Sequence, residues 1–256
     1  QDEKAFIEAL LSFKKVQEEA VHQGRIQHRE LKIAGKEQAA QEILNKVLAD
    51  IELTKDAFQM GVRLFSKSAR IHNYYGEFLY DDLDQPIAAL KEWNLAIALD
   101  GKFSAAYNNL GIHYFHVGQY GMGLRHLDTA LEIDPKNPDY LFNMAQMYLI
   151  HAPQIKKQRN WSDKKIYRTA MKCSREAAQY SEGDYQLLQD YAVNFSAAAN
   201  FGVKANWKKA AAAWQDARPY ARNSNEVFYT WLNEARSWSN AQQSEEAIAA
   251  LHEALK

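Results

Sequence analysis

The stretch AAYNNLGIHYFHVGQYGMGLRHLDTALEIDPKN, residues 105–137, decides the fold. Its apolar residues recur at helical spacing in two segments, and small residues stand at fixed places within them, at Gly111, Gly123 and Ala130. A glycine inside a helix costs about 1 kcal/mol relative to alanine. Something must offset that cost, and we expect it to be the close approach of a neighbouring helix at these positions.

The same pattern of small residues recurs along the chain. The positions that align with Gly111 are Gly76, Ala145, Ala192 and Ala235. The positions that align with Gly123, in a second helix, are Ala89, Ala170, Ala210 and Ala247. Gly111 and Ala145 are 34 residues apart. Recurrence at a period of this length indicates an array of repeated helix pairs.

This pattern resembles the tetratricopeptide repeat, a helix–turn–helix unit of the same length. Residues 104–137 match the family's pattern best, at Tyr107, Leu110, Gly111, Tyr114, Gly123, Leu127, Ala130 and Pro135. The resemblance covers residues 46–256. It implies an all-α fold, a right-handed α-α superhelix in which antiparallel helix pairs form a solenoid.

The domain organisation that we predict is a helical N-terminal segment followed by about five repeats. Residues 1–45 form an extension or cap, interpreted as part of two or more long helices over residues 1–50, with coiled-coil self-association as the alternative. The array then consists of a partial repeat at 46–68 and of repeats at 69–103, 104–137, 138–184, 185–227 and 228–256. Insertions near 152–164 and 200–206 lengthen two of these repeats, and we expect both to project from one edge.

Composition and motifs narrow the class of protein. With 47% hydrophobic residues, 11 Gly and 5 Pro, the composition indicates a globular, helical chain. A net charge of -1 gives no general electrostatic reason to expect nucleic acid, which we therefore consider an unlikely partner. A single cysteine, Cys173, allows no internal disulfide and is expected to be buried.

The sequence also predicts no enzyme, no metal site and no cofactor. The common nucleotide, zinc-protease and hydrolase motifs do not occur in it. His113 and His116 have helical spacing, but no third ligand has a matching position. No apolar run is long enough for a transmembrane helix. The start at Gln1 suits an exported or periplasmic mature chain, which we favour, or a recombinant start.

Resemblance to the family implies that the first helix of each repeat lines a concave groove. We expect this groove to bind a peptide or helix of a partner protein, with Phe115, Phe142 and Ile150 as apolar anchors. The chain would then be a non-enzymatic interaction scaffold. The predicted groove residues are Asn73, Tyr80, Asn108, Asn109, Ile112, Phe115, His116, Phe142, Asn143, Gln146, Ile150, Gln189, Asp190, Val193, Tyr229, Asn233 and Arg236.

One register of the first helices carries mostly asparagine, at Asn109, Asn143, Asp190 and Asn233. Amides there could bind the backbone of an extended peptide, and the column looks like the asparagine ladder of the O-GlcNAc transferase superhelix. The alternative, which we favour, is that these side chains bond neighbouring turns of the protein itself.

Two alternative functions remain at this point. The first is a homo-oligomer built by the N-terminal helices or by the last helix pair. The second is recognition of an anionic partner by a basic rim on the two lengthened turns, at 153–165 and 200–209. The rim residues are Lys156, Lys157, Arg159, Trp161, Lys164, Lys165, Lys204, Lys208 and Lys209.

Overall fold

The computed structural model describes residues 2–255. Across them the chain forms thirteen α-helices and two 3-10 helices, with no strand. These residues divide into two compact units, separated between Asn109 and Leu110, which we call the N-terminal and the C-terminal unit. The prediction of an all-α fold of paired helices is confirmed. Over the same residues, no helix has the combination of length and apolar character that membrane crossing requires.

The N-terminal unit begins with two long helices that pack on each other, followed by a shorter pair. Its helices are α1 (Glu3–Ile33), α2 (Glu37–Leu64), α3 (Ala69–Asp81) and α4 (Pro86–Leu99). The Asp2 side chain caps α1 by accepting hydrogen bonds from two backbone N–H groups, and Gly35 turns the chain with a φ of 68°. The expectation of long N-terminal helices is confirmed. The expected limit between residues 45 and 46 lies inside α2, where no residue breaks the helix.

The unit boundary falls within α5 (Ser104–His116), and the C-terminal unit continues with the remaining elements. These are α6 (Tyr120–Ile133), α7 (Pro138–Ile150), α8 (Ala152–Arg159), α9 (Asp163–Tyr180), α10 (Tyr185–Asn194), a 3-10 helix (Phe195–Phe201), α11 (Trp207–Ala217), a 3-10 helix (Arg218–Tyr220), α12 (Ser224–Asn240) and α13 (Ser244–Ala254).

Consecutive helices of the C-terminal unit pack as pairs. Helix α7 packs on α9, α10 on α11, and α12 on α13. Asn223 caps α12 by accepting a hydrogen bond from the Glu226 N–H, so that this helix begins before residue 228. The expected limit between residues 227 and 228 therefore lies inside a helix. The remaining repeat limits stay a prediction.

Gly111 and Gly123 mark the point where α5 and α6 touch. A Cβ atom on Gly111 would lie 2.6 Å from Cγ of Leu127 and 3.1 Å from the backbone nitrogen of the same residue. A Cβ atom on Gly123 would lie 2.5 Å from the Phe115 ring and 3.1 Å from the Gly111 carbonyl oxygen. The prediction that packing explains these glycines is confirmed.

The two insertions pack onto the C-terminal unit, so the expectation that they project from an edge was wrong. The first one forms α8, whose Ile155 is fully buried in the apolar core. The second follows a 3-10 helix that buries Ala198 and Phe201 in the same core. Each insertion carries its own apolar side chains, and burying these holds the backbone against the helix pairs.

Candidate protein-interaction surfaces

The first candidate surface lies on the first helices of the C-terminal unit, α7, α10 and α12. We call it the groove face and define it by Ile150, Val193 and Tyr229, which are 63%, 38% and 40% exposed. Gln146 Nε2 donates a hydrogen bond to Asp190 Oδ1 over 2.5 Å, which joins α7 directly to α10. Residues three or four positions apart share one side of a helix, so Ile150 and Val193 lie beside this bond.

Other predicted groove residues, on α5, α7, α10 and α12, differ in their accessibility. Ile112 and Phe142 are half-buried and pack against the core of the C-terminal unit. Gln189 is half-buried, whereas His116 is exposed. Arg236 is exposed too, and its Nη1 donates to Asn233 Oδ1 at 3.3 Å.

Phe115 does not belong to the groove face, and its prediction as an apolar anchor was wrong. Its side chain is 1% exposed. The ring lies 5.8 Å from the Tyr120 ring and 5.3 Å from the His151 ring, measured between centroids, and also touches Gly123. Phe115 is therefore a core residue of the C-terminal unit.

In the N-terminal unit, the predicted groove residues form a polar cluster of their own. Asn109 Nδ2 donates to Asn73 Oδ1 at 3.1 Å and to Glu77 Oε1 at 2.9 Å, and Asn73 Nδ2 donates to the same Glu77 oxygen at 2.8 Å. Burial raises the pKa of Glu77, and these two amides oppose that rise. Asn73 and Asn108 are buried, so their prediction as groove residues was wrong. Tyr80 is half-buried, with its ring 5.3 Å from the Trp93 ring.

In the C-terminal unit, the asparagine column also bonds the protein itself. Asp190 accepts hydrogen bonds from Ser174 Oγ at 3.1 Å and from Asn194 Nδ2 at 2.8 Å, in addition to the one from Gln146. Burial raises the pKa of Asp190, and the three donors oppose the rise. Asn233 Nδ2 donates to the Tyr229 carbonyl of its own helix at 2.8 Å. Asn143 is half-buried on α7. These bonds match the structural interpretation of the column.

Some residues in the first half of the predicted basic rim are held by contacts with carboxylates or with an aromatic ring. Arg159 makes a bidentate contact with Asp128 on α6, at 2.7 and 2.6 Å, and its guanidinium lies 5.0 Å from the centre of the Trp161 ring. Lys165 lies 4.2 Å from the centre of the same ring, and Lys156 pairs with Asp163 at 2.8 Å. Lys157 and Lys164 are exposed.

The second half of the rim contributes to a different site. Lys204 and Lys209 line a cleft together with Arg168, Lys172 and Arg175 of α9, and these five residues define what we call the basic cleft. Lys208 is exposed but does not line it. The three α9 residues were not predicted from the sequence, although their spacing of four and then three positions places them on one side of a helix.

Comparison with known proteins supports the resemblance to tetratricopeptide repeats. A tetratricopeptide repeat family model matches residues 126–173. Human tetratricopeptide repeat protein 6 is 40% identical over 57 residues, a match that covers 22% of this chain and 11% of that protein. The match spans only 11% of the length of this curated relative. Over the matched segment, residues 126–173, the chain is similar to a tetratricopeptide repeat.

Several solved structures share the fold at low sequence identity. YrrB, described as a TPR protein with an unusual peptide-binding site, aligns with a TM-score of 0.54 at 16% identity, over 78% of this chain and 92% of that one. The C-terminal part of a TPR repeat-containing protein from Cytophaga hutchinsonii aligns with a TM-score of 0.55 at 14% identity, over 99% and 94% of the two chains. PilF of Pseudomonas aeruginosa aligns with a TM-score of 0.53 at 13% identity, over 91% of this chain and 90% of that one.

Proposed function

We propose that this tetratricopeptide repeat protein is a non-enzymatic scaffold that holds a peptide or helix of a partner protein against its groove face. The observation that carries the proposal is the hydrogen bond between Gln146 and Asp190, which sets α7 beside α10 with Ile150 and Val193 exposed next to it. Exposed apolar side chains on adjoining helices are typical of peptide-binding surfaces. YrrB, which has a similar fold, is described as having a peptide-binding site.

The groove face differs from the one that the sequence predicted. Phe115 is replaced as an anchor by Val193 and Tyr229, because Phe115 is buried and these two are exposed. Gln146 and Asp190 join two helices, and Asn233 bonds its own helix, so the polar atoms of these three residues bond the protein itself rather than a partner. Binding would therefore depend mainly on apolar contacts.

The test uses peptides selected from a displayed random library on the immobilised chain. Their affinity is then measured by fluorescence anisotropy for the wild type and for Ile150→Ser with Val193→Ser. Losing two apolar contacts should weaken binding by about tenfold or more. Val117→Ser is the matched control, because Val117 is 52% exposed and lies outside the groove face. Equal affinity in wild type and groove variant would refute the proposal.

A second candidate function, self-association, is favoured by helix α13. Ile248, Leu251 and Leu255 are exposed at helical spacing, which leaves one apolar side of this helix open to a second copy. Light scattering over a range of concentrations tests this directly. A mass that rises above 29.4 kDa with concentration, and falls back in Ile248→Ser with Leu251→Ser, is expected. A constant monomer mass would eliminate this candidate.

A further inference from the structure

The basic cleft lies between α9 and α11 and has a volume of about 430 Å³. Arg168, Lys172 and Arg175 form one wall on α9. Lys204, from the turn after the 3-10 helix, and Lys209, from the first turn of α11, form the other. None of the described residues that line the cleft carries a carboxylate.

The charges of the cleft are largely unbalanced. Glu176 approaches Lys172 at 3.8 Å and Arg175 at 4.0 Å, which are long distances for ion pairs. Within residues 2–255, no carboxylate lies within 4.0 Å of the other three cations of the cleft. Five like charges around one cavity repel each other, so an anionic ligand in the cleft would relieve that repulsion.

The size of the charged wall indicates a short ligand. Arg168 and Arg175 are separated by seven residues of helix, a distance of about 10 Å. An extended peptide spans this distance with about three residues. Carboxylates on alternate or neighbouring residues of such a peptide could meet both walls.

The floor of the cleft disfavours other polyanions. Single-stranded nucleic acid binds by stacking its bases on exposed aromatic rings. Of the three aromatic residues that line the cleft, Tyr167 and Phe195 are each 6% exposed and Tyr191 is half-buried, so the cleft offers no fully exposed ring for stacking. A lipid surface is bound by protruding amphipathic helices, whereas these cations line a recess between two helices. Met171 and Val203 add apolar contacts for an aliphatic side chain.

We propose that the basic cleft binds an acidic segment of a partner protein, in which Glu or Asp residues flank an aliphatic side chain. The carboxylates bind Arg168, Lys172, Arg175, Lys204 and Lys209, and the aliphatic side chain lies on the floor. This site uses none of the residues that define the groove face, so either proposal stands if the other fails.

The experiment uses the full chain and a labelled peptide of Glu residues around a central Leu, with binding followed by fluorescence anisotropy. The cleft variant is Arg168→Gln with Lys209→Gln, both of which change exposed side chains. The control variant is Lys157→Gln with Lys164→Gln, which removes the same charge from exposed positions outside the cleft. The cleft variant should bind about tenfold more weakly, and the control should match the wild type.

Three further probes separate the alternatives. A peptide with Gln in place of every Glu should not bind, and added salt should weaken the Glu peptide. Equal binding of the Gln peptide, or equal losses in cleft and control variants, overturns the proposal. So does binding of oligothymidylate or phosphatidylserine vesicles that depends on Arg168 and Lys209 while the Glu peptide fails to bind.

Discussion

The buried His72 pairs with the half-buried Glu92 in the N-terminal unit, with Nδ1 of the imidazole 2.6 Å from Oε2 of the carboxylate. The other ring nitrogen, Nε2, lies 3.1 Å from the Ser66 carbonyl oxygen. Two acceptors face the two ring nitrogens, so the doubly protonated imidazolium satisfies both. The hydrogen bond to Glu92 is the main reason why the pKa of His72 is raised above its ordinary value of 6.5, and burial opposes it.

This pair predicts that stability falls as the pH rises. Because the pKa of His72 is higher in the folded chain than in the unfolded chain, protonated His72 stabilises the fold. This stabilisation is complete below pH 6.5 and is lost as the pH rises through the raised pKa. Denaturant midpoints measured at successive pH values should decrease over that interval. His72→Gln should remove this part of the pH dependence. A wild-type midpoint that stays constant or rises there would contradict the assignment.

Gly111→Ala should destabilise the C-terminal unit although alanine favours helix. The added methyl group would lie 2.6 Å from the Leu127 side chain and close to its backbone, which has little freedom to move. Overpacking of this kind costs about 1–3 kcal/mol, while the gain in helix propensity returns about 1 kcal/mol. We expect a net loss of up to about 2 kcal/mol in urea denaturation.

Gly101→Ala is the matched control for this substitution. No atom lies within 4 Å of a Cβ at Gly101, so this variant should unfold within about 0.5 kcal/mol of the wild type. If both variants have wild-type stability, close packing is not the reason for glycine at position 111.

The contacts between paired helices could be predicted from the sequence because small residues recur at aligned positions. The contacts of the insertions could not be predicted in this way. Gly111 and Gly123 were interpreted correctly because a small residue at a repeated position indicates that two helix backbones lie close together. Phe115 was misassigned because its ring packs near His151, which lies between α7 and the inserted α8. The pairing of Arg159 with Asp128 was also missed, since it joins the insertion to a helix of the preceding pair.

Phe115 and Ile150 should respond oppositely to truncation. Phe115→Ala removes a side chain that is 1% exposed from the core, and such changes cost about 3–5 kcal/mol. Ile150→Ala changes a side chain that is largely exposed, so its effect on the free energy of unfolding should stay within about 0.5 kcal/mol. Urea denaturation of both variants measures the difference. Comparable losses would mean that Ile150 is packed rather than available to a partner.

Cys173 should be chemically inert in the folded protein. Its side chain is 9% exposed, and burial raises the pKa of the thiol to about 11, mainly because the charged thiolate is poorly solvated there. At neutral pH the reactive thiolate is therefore scarce as well as shielded. A thiol reagent such as 5,5′-dithiobis(2-nitrobenzoate) should label the chain slowly without denaturant and rapidly in concentrated urea. Fast labelling of the folded chain would show that α9 opens readily, and the packing of α9 on α7 would then be weaker than described.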